Sequence, residues 1–338
     1  MNSNHNDTII IGTGIAGLTA AAELSARGRK VLMLEKNDST GGHVGQWSVC
    51  FPFGISGREL AESILPQSDA NVSIRTRSTA SAISTLPDGS LSVSCTDGTA
   101  HSARTVLLAS GYGMFDARLK EELGYGIYPG VLTSEDIERQ WQKGERPLAG
   151  HSNPRFAIVH CVGSRDLKCN IRHCSKVCCM VGVKMATEIR QRYPDSQVTN
   201  YYMDLRMFDN GYEELYHDAQ LNYNVQFVRG RISEVAPTND GRLYIRAEDT
   251  LLGKPLRDKV DALVLMIGMS AHEPLPVDGE PMNRSINGFV GTASPVQINL
   301  TATPGLFVAG AAKGPMNITE VLADARAAAA ETDKYLSR

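Results

Sequence analysis

The chain has 338 residues, of which 42% are hydrophobic and 21% charged, a composition typical of globular proteins. Its formal net charge of −3 gives no reason to expect nucleic acid or an anionic membrane surface as a partner. The polar N-terminus, residues 1–8, lacks the features of a signal peptide, and no apolar stretch reaches the ~18 residues that span a bilayer, so we expect a cytoplasmic protein without membrane insertion.

A strand, a glycine-rich turn and a helix open the chain. Residues 8–11 are apolar and β-branched, residues 12–17 have the pattern Gly-x-Gly-x-x-Gly, and residues 18–27 are rich in Ala and Leu. A second apolar strand, residues 30–34, ends at the acidic residue Glu35. Strand, turn, helix, strand and acid in this order are typical of a dinucleotide-binding unit.

Each position of this motif has a mechanical role. Gly12 makes the tight turn, Gly14 lets the backbone approach a pyrophosphate, and Gly17 lets the helix pack closely. The pyrophosphate is expected at the positive end of the helix, and Glu35 accepts from ribose hydroxyls. A Gly-Gly pair at 41–42 resembles flavoproteins related to the disulfide reductases and favours FAD over NAD. The cofactor-binding residues expected here are Gly12, Gly14, Ile15, Ala16, Gly17, Glu35, Lys36, Gly42 and His43.

Two later segments resemble the remaining FAD fingerprints of thioredoxin-reductase-like flavoproteins. Residues 105–111 are an apolar strand that ends in small residues, and residues 304–312 are a turn, a strand and a glycine stop before a helix at 319–336. That family usually has Gly-Asp at the last strand end, where this chain has Gly310 and Ala311. The binding residues expected here are Ala109, Ser110, Gly111, Gly310, Ala311, Pro315 and Ile318.

The middle of the chain departs from that family. Residues 156–160 supply the first strand of a second nucleotide-binding unit, but the following turn, residues 161–166, keeps a single glycine and carries a charged pair, Arg165 and Asp166. Later apolar runs are consistent with a continuing α/β unit. We interpret the turn as a nicotinamide site that has been replaced by a thiolate site, with the charged pair bracing its loop as an ion pair.

Five of the seven cysteines lie between residues 161 and 179. Their spacing, C-x7-C-x4-C-x3-C-C, suits a [4Fe–4S] cluster better than the C-x2–4-C knuckles of structural zinc. A redox-active disulfide is the other functional interpretation, although no C-x-x-C spacing occurs among the five. Cys50 and Cys95 are isolated and are expected to be core or surface thiols, with Cys50 in the loop after the Gly-Gly pair also a candidate for a place near the flavin.

The runs at 161–166 and 174–180 resemble the signature of the A subunits of heterodisulfide reductase, and those at 125–134 and 310–315 resemble other parts of that family. The resemblance implies an FAD and one [4Fe–4S] cluster ligated by Cys161, Cys174, Cys178 and Cys179, with Cys169 in reserve. It also implies Hdr-like B and C subunits as partners and a homodimer when isolated. Because the chain has no ferredoxin runs, it resembles the short Hdr-like form of sulfur-oxidising bacteria rather than the long methanogen form.

The predicted fold class is α/β, a thioredoxin-reductase-like flavoprotein with two domains. The FAD-binding domain is expected at 1–115 and 272–338, a connector at 116–149, and a unit resembling an NAD(P)H domain with the cysteine group at 150–271. FAD itself carries the chemistry in this interpretation, with Lys313 and His43 as candidates for tuning the flavin. The alternatives are a free-standing pyridine-nucleotide–disulfide oxidoreductase and a non-enzymatic redox sensor.

Overall fold

The computed structural model of the protein describes residues 6–64, 69–146, 148 and 150–338, which fall into two compact units. The first unit comprises residues 6–50, 54–113 and 271–338 within this range, and the second comprises residues 51–53 and 114–270. Most of the polar N-terminal segment interpreted above lies outside the described residues, as do residues 147 and 149 of the expected connector.

Strands and helices alternate through much of the chain. The strands are β1 (Asn6–Ile11), β2 (Val31–Leu34), β3 (Val72–Arg75), β4 (Ala80–Thr85), β5 (Leu91–Cys95), β6 (Ala100–Leu108), β7 (Gly113–Met114), β8 (Val131–Thr133), β9 (Arg155–Val162), β10 (Gln197–Tyr202), β11 (Gln226–Arg229), β12 (Ile232–Pro237), β13 (Leu243–Asp249), β14 (Lys254–Val260), β15 (Ala262–Ile267), β16 (Met269–Ser270) and β17 (Leu306–Val308). The helices are α1 (Ile15–Ala26), α2 (Gly57–Ile64), α3 (Ser134–Gln142), α4 (Cys178–Arg192), α5 (Tyr212–Leu221) and α6 (Ile318–Leu336), and short 3-10 turns occur at Val44–Gln46, Ala117–Leu119, Glu121–Leu123, Leu167–Cys169 and Gly310–Ala312.

The first unit is built on a parallel sheet with the strand order β3-β2-β1-β6-β17, extended from β6 by the antiparallel strands β5 and β4. Strand β1 lies at the centre, with Ile9 opposite Leu32 on one side and Val106 on the other. Its apolar run is continuous because a central parallel strand is buried on both faces. All four of its last residues are buried, so this strand forms the middle of the core.

The second unit contains a parallel sheet with the order β11-β10-β9-β15-β8 and a separate antiparallel sheet with the order β12-β13-β14. Helix α4 packs on β9, β10 and β15, and its residues from Cys178 to Ile189 are all buried except Val181. The segment 116–149, expected as a connector, contributes β8 and α3 to this unit, and β8 pairs with β15. No helix among the described residues is both long and apolar enough to cross a membrane.

Candidate functional site

In the first unit, the three predicted FAD fingerprints meet around the N-terminus of α1. Gly12 has φ +103°, and a Cβ there would lie 2.4 Å from the carbonyl oxygen of Ala109, at the end of β6. A Cβ on Gly42 would lie 2.9 Å from Cα of Gly14, and one on Gly310 would lie 2.6 Å from Cβ of Ala16. Glycine is therefore required sterically where each fingerprint approaches the turn.

The N-terminus of α1 is open to an anionic group. Gly14 is its N-cap residue, and no side chain caps the helix there among the residues that the structure describes. A Cβ on Gly14 would have only Cα of Gly42 within van der Waals contact, at 3.9 Å. Exposed backbone N–H groups together with the helix dipole attract phosphate groups. These residues therefore fit the pyrophosphate of a dinucleotide such as FAD.

Glu35 is buried and its carboxylate is engaged by the turn itself. Oε2 accepts hydrogen bonds from the backbone N–H of Thr13 (3.0 Å) and from its hydroxyl (2.6 Å), and Oε1 accepts from the N–H of Asn37 (2.9 Å). Glu35 therefore fixes the shape of the glycine turn as well as standing at the position where ribose is recognised in the motif. Nothing in the sequence pointed to Thr13, because x positions of the motif are otherwise unconstrained.

The two residues expected to tune the flavin have protein partners. His43 Nε2 lies 2.9 Å from the carbonyl oxygen of Tyr112, and its ring stacks on that tyrosine with a centroid distance of 4.6 Å. Lys313 forms a buried ion pair with Asp324 of α6, which also accepts from the N–H of Gly310 (2.7 Å). The ammonium group of Lys313 thus braces the end of β17 against α6.

Most of the remaining residues predicted to bind FAD in this unit lie just beyond the ends of its strands. Ala109 donates its N–H to the carbonyl oxygen of Ile11 (2.9 Å), which places Ser110 and Gly111 directly beyond the ends of β1 and β6. Ala311 lies in the 3-10 turn after β17, and Ile318, which is buried, begins α6. Pro315 lies between them, and Lys36 is exposed. Cys50 and Cys95 are both buried.

In the second unit, the cysteine group occupies the connection between β9 and α4. Residues 163–177 separate this strand and helix, whereas residues 12–14 suffice between β1 and α1 in the first unit. Cys161 is the penultimate residue of β9 and adopts a left-handed backbone with φ +61°. Cys178 and Cys179 are the first two residues of α4. The longer connection therefore leads from Cys161, near the end of β9, to Cys178 and Cys179, at the start of α4.

Three of the predicted ligands come together. The thiol of Cys178 is hydrogen-bonded to those of both Cys161 and Cys179, and all three residues are buried. Cys174, partly exposed, lies in the same loop, and its sulfur accepts from the N–H of Lys176 (3.3 Å). Cys169 lies apart in the turn Leu167–Cys169 and has a pKa raised by burial and by the charge of Asp166.

The electrostatics of this group favour thiolates at Cys179 and, to a smaller extent, at Cys161. The hydrogen bond from Cys178 lowers the pKa of Cys179 to about 4, helped by His160 and by the N–H of Arg206. The pKa of Cys161 falls to about 7, again chiefly through Cys178, whose own pKa is raised well above its usual value. Metals and clusters bind thiolates rather than thiols. The donor set therefore has the chemistry that an iron–sulfur cluster requires.

Within the described ranges, no three His, Cys, Asp or Glu side chains are arranged to hold one metal ion. A cubane cluster makes a different demand, since each of its four irons takes a single thiolate and the ligands surround it rather than converge on one point. Cys161, Cys178 and Cys179 fit this demand in type and proximity, and Cys174 is the fourth thiol on the same loop.

The charged pair beside the cysteines braces the loop, but the predicted ion pair between Arg165 and Asp166 is wrong. Arg165 binds Asp204, with Nη2 and Oδ2 2.8 Å apart, and Asp166 binds Lys120 at 2.8 Å. The two side chains point to different neighbours because Arg165, with φ +54°, is in the left-handed region. Each therefore ties the loop to a separate part of the second unit.

Sequence reasoning missed His160, which precedes Cys161. This side chain is buried, and its Nε2 lies 2.8 Å from Oδ1 of Asn200 on β10. Burial opposes its ionisation, but the hydrogen bond and negative charge of Cys179 outweigh burial and raise its pKa. The adjacency of His160 to a predicted ligand was the available signal. Its contact with a cysteine nineteen residues later was not visible in the sequence.

Comparison with known proteins gives the family and the fold of this chain. A model of the NAD(P)-binding Rossmann-like domain family matches residues 10–60. The second iron-sulfur A subunit of the CoB–CoM heterodisulfide reductase of Methanopyrus kandleri is 40% identical over 243 residues, which are 69% of this chain and 37% of that protein. The A subunit of the H2:CoB–CoM heterodisulfide,ferredoxin reductase of Methanothermobacter thermautotrophicus is 38% identical over 241 residues, 67% of this chain and 36% of that protein.

This chain belongs to the family of heterodisulfide reductase A subunits. The predicted family is thereby confirmed, although the chain spans little more than a third of the length of the curated relatives that it matches. Thioredoxin reductase of Lactococcus lactis has a similar fold, with a TM-score of 0.70, 17% identity and coverage of 98% of this chain and 99% of that one. The predicted two-domain α/β flavoprotein fold is therefore also confirmed.

Proposed function

We propose that this member of the heterodisulfide reductase family is the electron-transfer flavoprotein subunit of a heterodisulfide-reductase-like complex in sulfur or disulfide metabolism. FAD would occupy the first unit, and a [4Fe–4S] cluster would be held in the second by Cys161, Cys174, Cys178 and Cys179. The observation that carries the proposal is the contact among Cys161, Cys178 and Cys179 at the end of β9. A related reductase would hold its nicotinamide cofactor at this strand end.

When bound, FAD supplies two-electron chemistry and a [4Fe–4S] cluster supplies one-electron chemistry. In the first unit, the turn at Gly12 and the uncapped start of α1 bind the pyrophosphate, and Glu35 keeps that turn in shape through Thr13. The buried pair of Lys313 and Asp324 holds the end of β17 in place beside α6. These residues bind and orient the cofactor and leave the chemistry to it.

In the second unit, the protein prepares thiolates in a buried place. The positive charge of Arg165 lies near Cys161 and Cys174. The pKa of Arg165 is raised mainly by its hydrogen bond to Asp204, and the negative charges of the two cysteines raise it further. The N–H groups of Lys176 and Arg206 are donated to Cys174 and Cys179. Hydrogen bonds to ligand sulfurs stabilise their negative charge and tune the potential of a cluster.

Cys169 is excluded from the proposed ligand set. It lies in the turn Leu167–Cys169 and not at the end of β9 or the start of α4, and Asp166 beside it adds negative charge that raises its pKa after the effect of burial. We further propose a cytoplasmic protein that forms a homodimer when isolated and works with Hdr-like B and C subunits, as in the short form of sulfur-oxidising bacteria.

Reduction by different donors tests this function. We expect anaerobically purified protein to contain FAD, iron and acid-labile sulfide, to give an EPR signal after reduction with dithionite, and to be reduced by NADPH very slowly. Protein that contains flavin without iron and is rapidly bleached by NADPH would contradict the proposal. That outcome would support the alternative of a free-standing pyridine-nucleotide–disulfide oxidoreductase.

A further inference from the structure

Four arginine side chains gather on the outer side of the cysteine group. The carboxylate of Asp204 accepts a hydrogen bond from Arg165 (2.8 Å) and lies 3.6 Å from Arg229. The pKa of Asp204 is lowered first by Arg165, and also by the charges of Arg229 and Arg206. Nε of Arg231 lies 2.7 Å from the sulfur of Met203. Two guanidinium groups, those of Arg165 and Arg229, therefore contact one carboxylate, and Arg206 and Arg231 lie in the same region.

This region carries an excess of positive charge. Asp204 is shared between Arg165 and Arg229 and is also affected by the charge of Arg206, and Asp166, a carboxylate affected by the charge of Arg231, is already paired with Lys120 at 2.8 Å. Side chains of Arg206, Arg229 and Arg231 are exposed. Because the chain as a whole has a net charge of −3, this excess is a local feature and not a general property of the surface.

The arginines are directly connected to the thiols. The sulfur of Cys179 lies 3.5 Å from the carbonyl oxygen of Asp204, and the backbone N–H of Arg206 donates a hydrogen bond to this sulfur. Residues 204–206 therefore lie against this sulfur, and the side chain of Arg206 is exposed to solvent. A protein that approaches these arginines comes within a few side-chain lengths of the cysteine group.

Two large exposed apolar side chains lie close to these arginines in the sequence. Leu167, two residues after Arg165, is 75% exposed, and Phe208, two residues after Arg206, is 58% exposed. The ring of Phe208 packs on Tyr212 with a centroid distance of 6.3 Å, which restricts its motion. Arginine and aromatic residues beside exposed apolar groups are typical of protein–protein interfaces. An aliphatic side chain and two carboxylates suit a nucleic acid less well, because they neither stack on bases nor attract phosphates.

We propose that Arg165, Arg206, Arg229 and Arg231, with Leu167 and Phe208, form the docking surface for a small acidic electron-transfer protein. We call it the arginine face. The assignment of the partner as an electron-transfer protein rests on the proposed function, whereas the binding of an acidic protein to these residues does not. Docking makes or breaks no covalent bond. Opposite charges steer such a partner to the face, and the apolar pair supplies contacts that persist when salt screens the charges.

Binding of an acidic flavodoxin to the full-length protein, purified anaerobically with its cofactors, tests the arginine face. We expect the Kd to rise about tenfold between 50 and 300 mM NaCl, because screening shortens the range of the charges. The double variant Arg206→Glu/Arg231→Glu should raise the Kd at least about tenfold at low salt, and Arg206→Lys/Arg231→Lys should largely retain binding. Basic cytochrome c should not bind.

The matched control is Arg139→Glu/Lys143→Glu, the same charge change on exposed residues of α3 and at its C-terminal end. Helix α3 packs on β8 and β15, at the edge of the sheet opposite β10 and β11, where the arginines lie. Absence of flavodoxin binding, equal loss in both glutamate variants, or tighter binding of a single-stranded oligonucleotide would overturn the proposal. Iron and flavin contents, measured separately, show whether the proposed function fails instead.

Discussion

Removal of one buried positive charge should destabilise the second unit strongly. Nζ of Lys184 lies 3.0 Å from Glu138 on α3 and 3.0 Å from Glu188 on its own helix, and all three side chains are at most 7% exposed. Lys184→Met keeps the apolar stem but leaves two buried carboxylates without this counter-ion. Breaking a buried charge network in this way costs about 3–5 kcal/mol, so we expect a loss of that order at pH 7.

The loss should depend on pH in a defined direction. Burial raises the pKa of Glu188, and Lys184 opposes this rise, so the substitution moves the pKa still higher. Between the two pKa values, the carboxyl group keeps its proton in the folded protein but has lost it in the unfolded chain, in which its pKa is ~4.3. Stability therefore falls as the pH rises from the unfolded pKa through the folded one. The deficit of Lys184→Met should shrink as the pH is lowered toward 5.

Urea unfolding measures this effect through Trp141, one of two tryptophans in the chain and a buried residue of the second unit. A Trp47→Phe background leaves Trp141 as the sole tryptophan signal. Lys184→Met/Glu188→Gln should recover part of the loss, and Lys143→Met, at an exposed lysine, should be neutral. A Lys184→Met protein as stable as its parent, or a deficit that is constant between pH 5 and pH 8, would refute the reasoning.

Two glycine substitutions probe the two cofactor sites. Gly12→Ala places a methyl group against a backbone oxygen and should abolish flavin binding, whereas Gly28→Ala, with a similar positive φ but no atom within 4 Å, should retain FAD in absorbance spectra. Gly182→Ala puts Cβ 2.6 Å from the ring of His160 and should cost about 1–3 kcal/mol and lower the iron content, with Gly150→Ala, in open space, as its control. A normal iron content in the Gly182→Ala protein would contradict the tight packing of the histidine.

Local patterns in the sequence predicted much of the fold. The apolar run at 8–11, the glycine turn and the Ala-rich helix lie next to each other in the chain, and the structure has β1, the turn and α1 there. The same holds for β6 and β17, whose apolar runs end in small residues. Such short-range patterns are informative because buried parallel strands and tight turns accept few residue types.

These local patterns did not predict which charged residues pair with partners distant in the sequence. Asp204 follows Arg165 by thirty-nine residues, and Lys120 precedes Asp166 by forty-six, so the charged dipeptide was interpreted as a local pair although its members have separate partners. Lys313 looked available to the flavin for the same reason, because its partner Asp324 lies on the next helix. Charge pairing depends on which surfaces the fold brings together, and one sequence does not contain that information in local form.

The iron-to-flavin ratio in a set of single Cys→Ala variants tests the central claim most directly, because it asks which sulfurs hold a cluster. We predict about four iron atoms per FAD in the parent and in the Cys50, Cys95 and Cys169 variants, and a marked loss of iron with retained flavin at Cys161, Cys174, Cys178 and Cys179. Parent protein that binds FAD but no iron under anaerobic reconstitution, or iron that is lost at Cys169 and kept at Cys174, would contradict the account.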